Sequence, residues 1–504
     1  MVKETEKSRR ETDRPDRPAG AESKTGWERP GGQALTLPPA RIVIAGTGSG
    51  CGKTTVTSGL LQCLKNRGIR TAAFKCGPDY IDPMFHEAVL GVKSGNLDLF
   101  FSDEETLRWL VASGAESCEI AVAEGVMGYY DGIGMTEEAS SWQVARALQA
   151  PAVLVIGTRG MAASVTAVLE GFLHHREDSR IRGVIFNRLP QKLYGRLAAQ
   201  AEKIGVVPLG YLPEESGFSL ESRHLGLVTA EEIADLKERM KLLAGTMEET
   251  VDIEGILRLA KEAEIHDISA PERILRLARS ATEKKKPCIA VAEDEAFCFT
   301  YRDNIRVLRL AGAEIISFSP LRDERLPERA DGIFLGGGYP ELYAERLSEN
   351  RTMRKSVHDA VQSGTPVIAE CGGFLYLHER MEGAEGGMYE MAGVIPGECR
   401  RGSRLGRFGY ILLTAQSDGM IARKGEVRKA HEFHYWKSDS EGSDFTVRKA
   451  DGSSTGSCGI SSEAMYAGFP HLSFCADPES AERFVKKCRQ HRDDIRMRKN
   501  SDMR

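Results

Sequence analysis

The chain lacks the features of a membrane, secreted or nucleic-acid-binding protein. No apolar run is long enough to cross a bilayer, and residues 1–38 contain no apolar segment of the kind that a signal peptide needs. The formal net charge is only -5, so no basic surface that would attract nucleic acid or an anionic membrane is expected. We therefore expect a cytoplasmic protein that binds neither membranes nor nucleic acid.

The sequence also lacks paired cysteines. None of its 11 cysteines forms a C-x-x-C pair, so the spacing predicts neither a metal site nor a disulfide framework. Reduced thiols are expected, and only Cys371 has a sequence context that suggests reactivity. The cysteines stand at positions 51, 63, 76, 118, 288, 298, 371, 399, 458, 475 and 488.

At 504 residues the chain is too long for a single hydrophobic core. Short apolar runs alternate with helical patterns, which predicts an α/β protein with a doubly wound domain of buried parallel strands followed by a second α/β domain. We divide the chain into a disordered tail at 1–38, a first domain at 40–245, a helical linker at 246–286, a second domain at 287–490 and a charged tail at 491–504.

A glycine-rich turn between a strand and a helix is the most informative feature of the sequence. In such a turn, bare backbone N–H groups and a helix N-terminus bind phosphate oxygens, a lysine reaches the terminal phosphates and a threonine hydroxyl ligates Mg²⁺. The turn predicts an ATP site that uses Mg²⁺. The residues assigned to it are Gly48, Ser49, Gly50, Cys51, Gly52, Lys53, Thr54 and Thr55.

The spacing of this turn departs from the usual P-loop. Five residues separate Gly46 from Gly52 instead of four, and Thr47 stands where a glycine is usual. A longer loop of this kind is similar to that of the dethiobiotin-synthetase-like branch of P-loop proteins. The departure therefore narrows the choice of family.

Two polar loops follow the next predicted strands of the first domain, at 75–83 and 124–132. The carboxyl ends of parallel strands are where open α/β sheets bind ligands. We expect Glu124 to join Thr54 as a Mg²⁺ ligand and Lys75 to neutralise phosphate charge at the ATP site. An ion-paired loop and a capped turn are the alternative interpretation. The residues predicted to hold a substrate are Asp79, Tyr80 and Asp82.

The second domain predicts a reactive cysteine. An apolar strand at 366–369 runs into a sharp turn with Cys371 at its corner, followed by small residues and a helix. This elbow exposes the sulfur at a helix N-terminus, which favours the thiolate. Backbone N–H groups near it could form an oxyanion hole. The residues assigned to that hole are Gly337, Gly338 and Gly372.

A nucleophilic cysteine needs a base. The candidates are His431, His434 and His471, each of which could equally be a hydrogen-bonded structural histidine. The pattern of residues by itself leaves the choice among them open.

Taken together, these motifs resemble the cobyrinic acid a,c-diamide synthase family over residues 40–480. The resemblance implies an ATP-dependent synthetase domain followed by a class I glutamine amidotransferase domain. The motifs that carry it lie at 75–83, 124–132, 223–227, 294–297, 318–321, 336–341, 369–373 and 431–435.

The resemblance also implies roles for individual residues. It assigns the glutaminase nucleophile to Cys371, its partner to His471 and an adenine contact to Asn187. Ser473 replaces the second histidine of the family pattern, and no glutamate stands two residues after His471. The third member of the Cys–His site is therefore left open.

The reaction that the resemblance implies is the amidation of the a and c acetate carboxylates of cobyrinic acid through acyl phosphates, with ATP and glutamine as co-substrates. Self-association into a homodimer is also considered. Alternatives are the same chemistry on hydrogenobyrinic acid or nickel-sirohydrochlorin, a cobyric acid synthase, and a ParA-like nucleotide switch that binds a protein partner. In the last case, the Cys371 elbow would have no purpose.

Overall fold

A computed structural model describes residues 35–36, 38, 40–214, 230–264, 267–281, 285–453 and 455–502. Most of the predicted tail at 1–38, and the family motif at 223–227, lie outside these residues. The end of that tail differs from the prediction, because strand β1 (Leu35–Thr36) pairs with residues Asp267–Ile268. In the described part of the chain, no helix is both long enough and apolar enough to cross a membrane.

The first domain is built on a seven-stranded parallel sheet, which confirms the predicted architecture. Apolar residues fill the strands because helices cover both faces of the sheet, and β2 is buried along its whole length. In sheet order the strands run β4-β3-β5-β2-β6-β7-β8. They are β2 (Ala40–Gly46), β3 (Thr71–Cys76), β4 (Ser94–Leu97), β5 (Ile120–Glu124), β6 (Ala152–Gly157), β7 (Ile181–Asn187) and β8 (Val207–Leu212).

Seven α-helices accompany these strands in the part of the first domain that the structure describes. The last one crosses the predicted domain boundary at 245, and its residues Leu243 and Met247 pack in the same core as Leu60 of the first helix. The helices are α1 (Lys53–Asn66), α2 (Ile81–Ala88), α3 (Glu104–Gly114), α4 (Ser141–Ala147), α5 (Ser164–His174), α6 (Gln191–Lys203) and α7 (Ala230–Thr250).

In its described residues, the predicted linker contains the end of α7, two further helices and a short strand. Helix α8 (Ile253–Ala260) buries Ile256 and Leu259 against the first domain, so this segment is more than a connection. Strand β9 (Asp267–Ile268), which pairs with β1, and helix α9 (Glu272–Ser280) complete it.

The second domain combines one mainly parallel sheet with two smaller sheets. The main sheet has the order β11-β10-β12-β13-β23-β22, and only its edge strand β22 is antiparallel. The elements are β10 (Cys288–Ala292), α10 (Arg302–Leu310), β11 (Glu314–Phe318), β12 (Gly332–Leu335), α11 (Ala344–Glu349), α12 (Arg351–Gln362), β13 (Val367–Glu370), α13 (Gly372–Leu377), β14 (His378–Glu382), β15 (Met388–Glu390), β16 (Ile395–Arg401), β17 (Phe408–Ala415), β18 (Val427–Phe433), β19 (Trp436–Ser438), β20 (Phe445–Lys449), β21 (Thr455–Cys458), β22 (Ile460–Ser461), β23 (Met465–Gly468), β24 (His471–Leu472) and α14 (Pro478–Asp502).

Helix α14 runs through residues that the sequence assigned to a charged tail. Beyond position 490 it is still docked, because the buried Arg492 donates to the Lys285 carbonyl oxygen at 2.7 Å. The predicted boundary at 490 therefore falls inside a helix.

The loop that follows β4 of the first domain contacts strands β17 and β18 of the second domain. Tyr410 on β17 donates its hydroxyl to Asp98 Oδ2 at 2.8 Å, and its ring stacks on Phe100 with centroids 4.4 Å apart. Lys429 on β18 donates to the Phe100 carbonyl oxygen at 2.7 Å. These contacts bring the ligand-binding edge of the first sheet against the second domain.

Candidate active sites

The glycine-rich turn joins β2 to α1 and is braced by Asn187. Gly52 at the helix start has a φ of 105°, and a Cβ there would lie 1.9 Å from Asn187 Nδ2. Asn187 Nδ2 donates to the Cys51 carbonyl oxygen at 2.9 Å. Only glycine fits at position 52. The hydrogen bond also fixes Asn187, to which the resemblance assigns an adenine contact, at the end of β7 next to the turn.

Lys53 bends back over the loop. Its Nζ donates to the carbonyl oxygens of Gly48, at 2.9 Å, and Met127, at 2.5 Å. Burial lowers the pKa of Lys53. The ammonium group thus lies between the glycine-rich loop and the 124–132 loop, within the space that the sequence predicts for phosphates.

The predicted Mg²⁺ ligands Thr54 and Glu124 are brought together. Thr54 Oγ1 donates to Glu124 Oε1 at 2.5 Å. Glu124 is fully buried, and its second oxygen, Oε2, lies 3.8 Å from His86 Nε2 but has no hydrogen-bond partner among the described residues. Buried polar atoms are rarely left without a partner, and a hydroxyl with a carboxylate is the donor set that Mg²⁺ prefers. These residues therefore fit a magnesium ion.

Lys75 lies between two carboxylates. Its Nζ is 2.8 Å from Glu124 Oε1 and 2.7 Å from Asp82 Oδ2. Burial opposes the charge of Lys75, but Glu124 and Asp82 outweigh it and hold the pKa of Lys75 well above its usual range. Burial also raises the pKa of Glu124, to about 7, reinforced by Asp82 and opposed by Lys75.

The 75–83 loop shows the ion pairs and the capped turn that the sequence left as an alternative to substrate binding. Asp79 Oδ1 accepts a hydrogen bond from the Ile81 N–H at 2.8 Å, at the start of α2. Asn96 braces the loop by donating to the carbonyl oxygens of Gly77 and Asp79 at 2.9 and 2.7 Å. Tyr80 leaves this cluster and reaches the second domain.

The ring of Tyr80 lies among aromatic side chains of the second domain. Its centroid is 4.4 Å from that of Tyr301, 5.1 Å from that of Phe299 and 5.3 Å from that of His471. The first two contacts are stacked. Tyr80, predicted to hold a substrate, therefore contacts the predicted glutaminase histidine.

Cys371 stands on the predicted elbow between β13 and α13. Its φ is 46° and its ψ is -101°, a conformation that non-glycine residues rarely adopt and that marks functional sites. A Cβ at Gly372 would lie 2.9 Å from Pro340 Cδ, and one at Gly373 would lie 2.3 Å from the Leu335 carbonyl oxygen. The small residues after Cys371 are thus required by close packing.

The glycine cluster differs from the prediction at one position. The N–H of Gly337 donates to the Phe299 carbonyl oxygen at 3.0 Å, so Gly337 cannot serve as an oxyanion donor as predicted. Its role is steric, because a Cβ at Gly337 would lie 2.5 Å from His471 Cε1. The N–H of Gly338 lies near the elbow, 3.1 Å from where a Gly372 Cβ would stand. Gly338 and Gly372 remain the predicted donors.

His471 interacts with the cysteine and with a carboxylate that the sequence analysis missed. Burial opposes protonation of the imidazole, but Cys371 and Glu370 outweigh it and raise the pKa of His471 to about 10. The imidazolium form, which stabilises a neighbouring thiolate, is therefore favoured at neutral pH.

Glu370 is positioned to orient His471. It is the last residue of β13, its Oε1 accepts the Leu472 N–H at 2.9 Å, and its Oε2 lies 3.7 Å from His471 Nδ1. A typical amidotransferase triad has a glutamate two residues after its histidine, where this chain has Ser473. The available signal was a glutamate at the end of a buried strand, directly before Cys371.

The other two histidines lie in different surroundings. His434 stacks on Phe469 with centroids 3.7 Å apart, and its Nε2 is 2.8 Å from Glu432 Oε1. Arg407 also pairs with Glu432, so this cluster is an ion-pair network. Burial, with the nearby His471, lowers the pKa of His431 to about 3. Both ring nitrogens of His434 are thus occupied, whereas His431 lies opposite His471 in the pairing of β18 with β24.

All eleven cysteines lie in the described part of the chain, and all are free. Burial raises the thiol pKa of nine of them. They are Cys63, Cys76, Cys118, Cys288, Cys298, Cys399, Cys458, Cys475 and Cys488.

Comparisons with known proteins match both halves of the chain. Residues 42–228 match the family described as the CobQ/CobB/MinD/ParA nucleotide binding domain, and residues 288–479 match the CobB/CobQ-like glutamine amidotransferase domain. These two matches cover the glycine-rich turn and the Cys371 elbow, respectively.

Similar proteins in three bacteria are each named cobyrinate a,c-diamide synthase. The protein of Caldanaerobacter subterraneus is 38% identical over 451 residues, covering 89% of this chain and 98% of that protein. The Listeria innocua protein is 41% identical, covering 78% and 86%. The Salmonella typhimurium protein is 41% identical, covering 78% and 85%.

Proposed function

The chain belongs to the cobyrinate a,c-diamide synthase family, and from this premise we propose that it amidates the a and c acetate carboxylates of cobyrinic acid in cobalamin biosynthesis, using ATP and glutamine. It is a glutamine-dependent, ATP-using amidoligase. The observation that supports the proposal is a glycine-rich turn at the start of α1 and a Cys371 elbow at the start of α13, in two domains that contact each other.

The first half-reaction activates a carboxylate. A carboxylate oxygen attacks the γ-phosphorus of ATP, ADP leaves, and the acyl phosphate forms. The glycine-rich turn and Lys53 would bind and orient the phosphates. Thr54 and Glu124 would hold Mg²⁺, which supplies charge neutralisation at the phosphates when bound. Ammonia then attacks the acyl carbon, and inorganic phosphate leaves.

The second half-reaction supplies ammonia. The Cys371 thiolate attacks the side-chain amide carbon of glutamine, and the N–H groups of Gly338 and Gly372 would stabilise the oxyanion. His471, as imidazolium, gives its proton to the departing nitrogen, leaving a thioester. The neutral imidazole then activates water, which hydrolyses the thioester to glutamate and restores the thiolate.

A parallel assay tests the identity of the acceptor. Cobyrinic acid, hydrogenobyrinic acid and nickel-sirohydrochlorin are each incubated with the protein, ATP, Mg²⁺ and glutamine, and the products are analysed by mass spectrometry. We expect two carboxyl-to-amide conversions on cobyrinic acid. Conversion of another tetrapyrrole in its place would reject the proposed substrate, and conversion of none would reject the activity.

Glu370→Gln is expected to slow the glutaminase. Glutamine keeps an oxygen for the Leu472 N–H but removes the negative charge 3.7 Å from His471 Nδ1. The pKa of His471 should then fall, because Glu370 is one of the groups that raise it, and the imidazolium beside Cys371 should be lost at a lower pH. The rate of Cys371 alkylation by a glutamine-analogue electrophile, measured against pH, tests this expectation.

His434→Asn is the matched control for Glu370→Gln. His434 is also buried beside a glutamate, but it does not serve Cys371. The alkylation of Cys371 against pH in His434→Asn should therefore stay close to that of the wild type. If Glu370→Gln is alkylated at the wild-type rate and His434→Asn is alkylated slowly, then the Glu432–His434 pair serves Cys371 and the Glu370–His471 pair does not.

A further inference from the structure

Three aromatic side chains are exposed together where β17 begins and β18 ends. Phe408 is 52% exposed, and Phe433 and Tyr435 are each 45% exposed. Within the part of the chain that the structure describes, every other Phe, Tyr and Trp side chain is buried or half-buried. We call these three residues the aromatic patch. Exposed apolar side chains that form a contiguous group mark a surface where another molecule binds.

Ring contacts and a backbone hydrogen bond hold the aromatic patch in place. Phe408 and Phe433 are paired across β17 and β18, and their ring centroids are 5.5 Å apart. The ring of Tyr435 lies 5.7 Å from that of Phe433. The loop before β17 is attached to the same strand end, because the Gly402 N–H donates to the Tyr435 carbonyl oxygen at 2.8 Å. The rings are thus preorganised and lose little conformational freedom when a ligand binds.

One side of the patch adjoins the predicted glutaminase centre. The carbonyl oxygen of Phe433 lies 3.9 Å from Cys371 Sγ. His431, two residues before Phe433 on β18, is paired with His471 on β24. A molecule on the patch would therefore lie beside the residues that are proposed to release ammonia.

The other side of the patch leads to the loops around the predicted ATP site. Tyr410 is two residues along β17 from Phe408, so their side chains lie on the same face of the strand. A Cβ at Gly77 would lie 3.7 Å from Tyr410 Oη and also 3.7 Å from Val126 Cγ1. The residue after Val126 accepts a hydrogen bond from Lys53 through its carbonyl oxygen. A large ligand on the patch would thus extend toward the space predicted for the terminal phosphate.

Two arginines beside the patch take part in no ion pair in the described part of the chain. Arg401 and Arg404 are both exposed, whereas Arg407, close by in the sequence, is paired with Glu432. The Arg401 guanidinium lies over the ring of Trp436, 5.8 Å from its centroid. An apolar aromatic surface is therefore joined to a cationic edge that suits carboxylates.

We propose that the aromatic patch, with Arg401 and Arg404, binds the tetrapyrrole acceptor. The proposal rests on the proposed function and adds to it, since the substrate residues that the sequence predicts all belong to the first domain. A tetrapyrrole has a broad, largely apolar macrocycle with carboxylates around its edge. The macrocycle would lie against Phe408 and Phe433, and carboxylates at its edge would pair with the two arginines. A carboxylate at the opposite edge would then face the loops around the ATP site.

The charges beside the patch argue against a second copy of the chain as its occupant. In a symmetric dimer the same surface of each copy meets the other. Arg401 and Arg404 of one copy would then approach the same arginines of its partner, and like charges at an interface oppose association. A polycarboxylate carries the complementary charge.

Equilibrium binding of cobyrinic acid in the absence of ATP, Mg²⁺ and glutamine tests the proposal. The quenching of protein fluorescence gives the Kd without any turnover. Phe408→Ala and Phe433→Ala should each weaken binding on the order of tenfold, because each removes a large apolar contact. Phe408→Tyr retains the ring and should recover most of the affinity. Leu242→Ala is the matched control, because Leu242 is an exposed apolar residue on α7, away from the patch, and its affinity should equal that of the wild type.

A charge variant tests the cationic edge separately. Arg404→Gln should weaken binding and make the Kd less dependent on salt concentration, because salt screens contacts between exposed charges. Phe408→Ala should keep the salt dependence of the wild type, since it removes no charge. Thermal midpoints and circular dichroism show whether each variant is folded.

Several results would overturn the proposal. They are a wild type that binds no tetrapyrrole, folded Phe408→Ala and Phe433→Ala with wild-type affinity, and a folded Arg404→Gln with unchanged affinity and salt dependence. A dimer that Phe408→Ala dissociates without changing the affinity for cobyrinic acid would assign the patch to a second copy. Failure of the proposed function is a separate outcome, in which cobyrinic acid binds as expected but yields no amide products. Amide products from a protein whose patch variants bind normally would reject the patch alone.

Discussion

Cys371→Ser is expected to abolish glutamine-dependent synthesis, by more than about 10³-fold, while synthesis from added ammonium salt stays largely intact. The side chain sits on the elbow at φ 46°, where its partner His471 is held as an imidazolium that stabilises a thiolate but not a serine alkoxide. Added ammonia enters the reaction after glutamine hydrolysis, so it does not need the cysteine. Amide product formed from each nitrogen source, measured side by side, provides the check.

Cys118→Ser is the matched control, because Cys118 is also free but lies in the other domain, away from both sites. It should support synthesis from both nitrogen sources. Equal loss of both activities in Cys371→Ser would mean that the cysteine is needed for the fold or for the synthetase step, and the assignment as nucleophile would be wrong.

Lys53→Ala and Thr54→Ala should each suppress synthesis from glutamine and from ammonia alike. Lys53 lies over the loop where the phosphates are expected, and Thr54 Oγ1 contacts Glu124. Loss of one preorganised charge or ligand at such a centre costs about 10²–10³-fold in rate. ADP formation with saturating acceptor and ammonium salt measures the synthetase step directly.

Thr54→Ser serves as the control because it retains the hydroxyl. Its activity should be recovered by raising the Mg²⁺ concentration, whereas that of Thr54→Ala should not. If Thr54→Ala kept near-wild-type ADP formation at limiting Mg²⁺, the glycine-rich turn would not be the catalytic phosphate site.

The arrangement of the first domain could be predicted because its signals are local. The run at 42–45 is apolar without interruption since β2 is covered on both faces. A strand occurs at each of the six apolar runs that predict one, at 42–45, 71–74, 120–123, 152–156, 183–186 and 206–210. Strand β4 (Ser94–Leu97) was missed because it is four residues long and carries a serine, a glycine and an asparagine. Its place in the sheet comes from pairing with β3.

The geometry of the candidate sites was predictable only in part. Sequence spacing placed Cys371 on a turn and Thr54 at a helix start, because both depend on a few neighbouring residues. The use of the Gly337 N–H by Phe299, the approach of Glu370 to His471 and the contact of Tyr80 with His471 all join segments far apart in the chain. No local pattern records which of these segments meet.

The burial of the thiols has a practical consequence for counting active molecules. A thiol with a raised pKa is protonated at neutral pH and reacts slowly with electrophiles, and this applies to nine of the cysteines, from Cys63 in helix α1 to Cys488 in helix α14. Cys371 instead has an imidazolium beside it. After a limited exposure to a mild alkylating agent, the label on the Cys371 peptide, counted separately from any label on Cys51, should therefore report the fraction of a preparation that has an intact second domain.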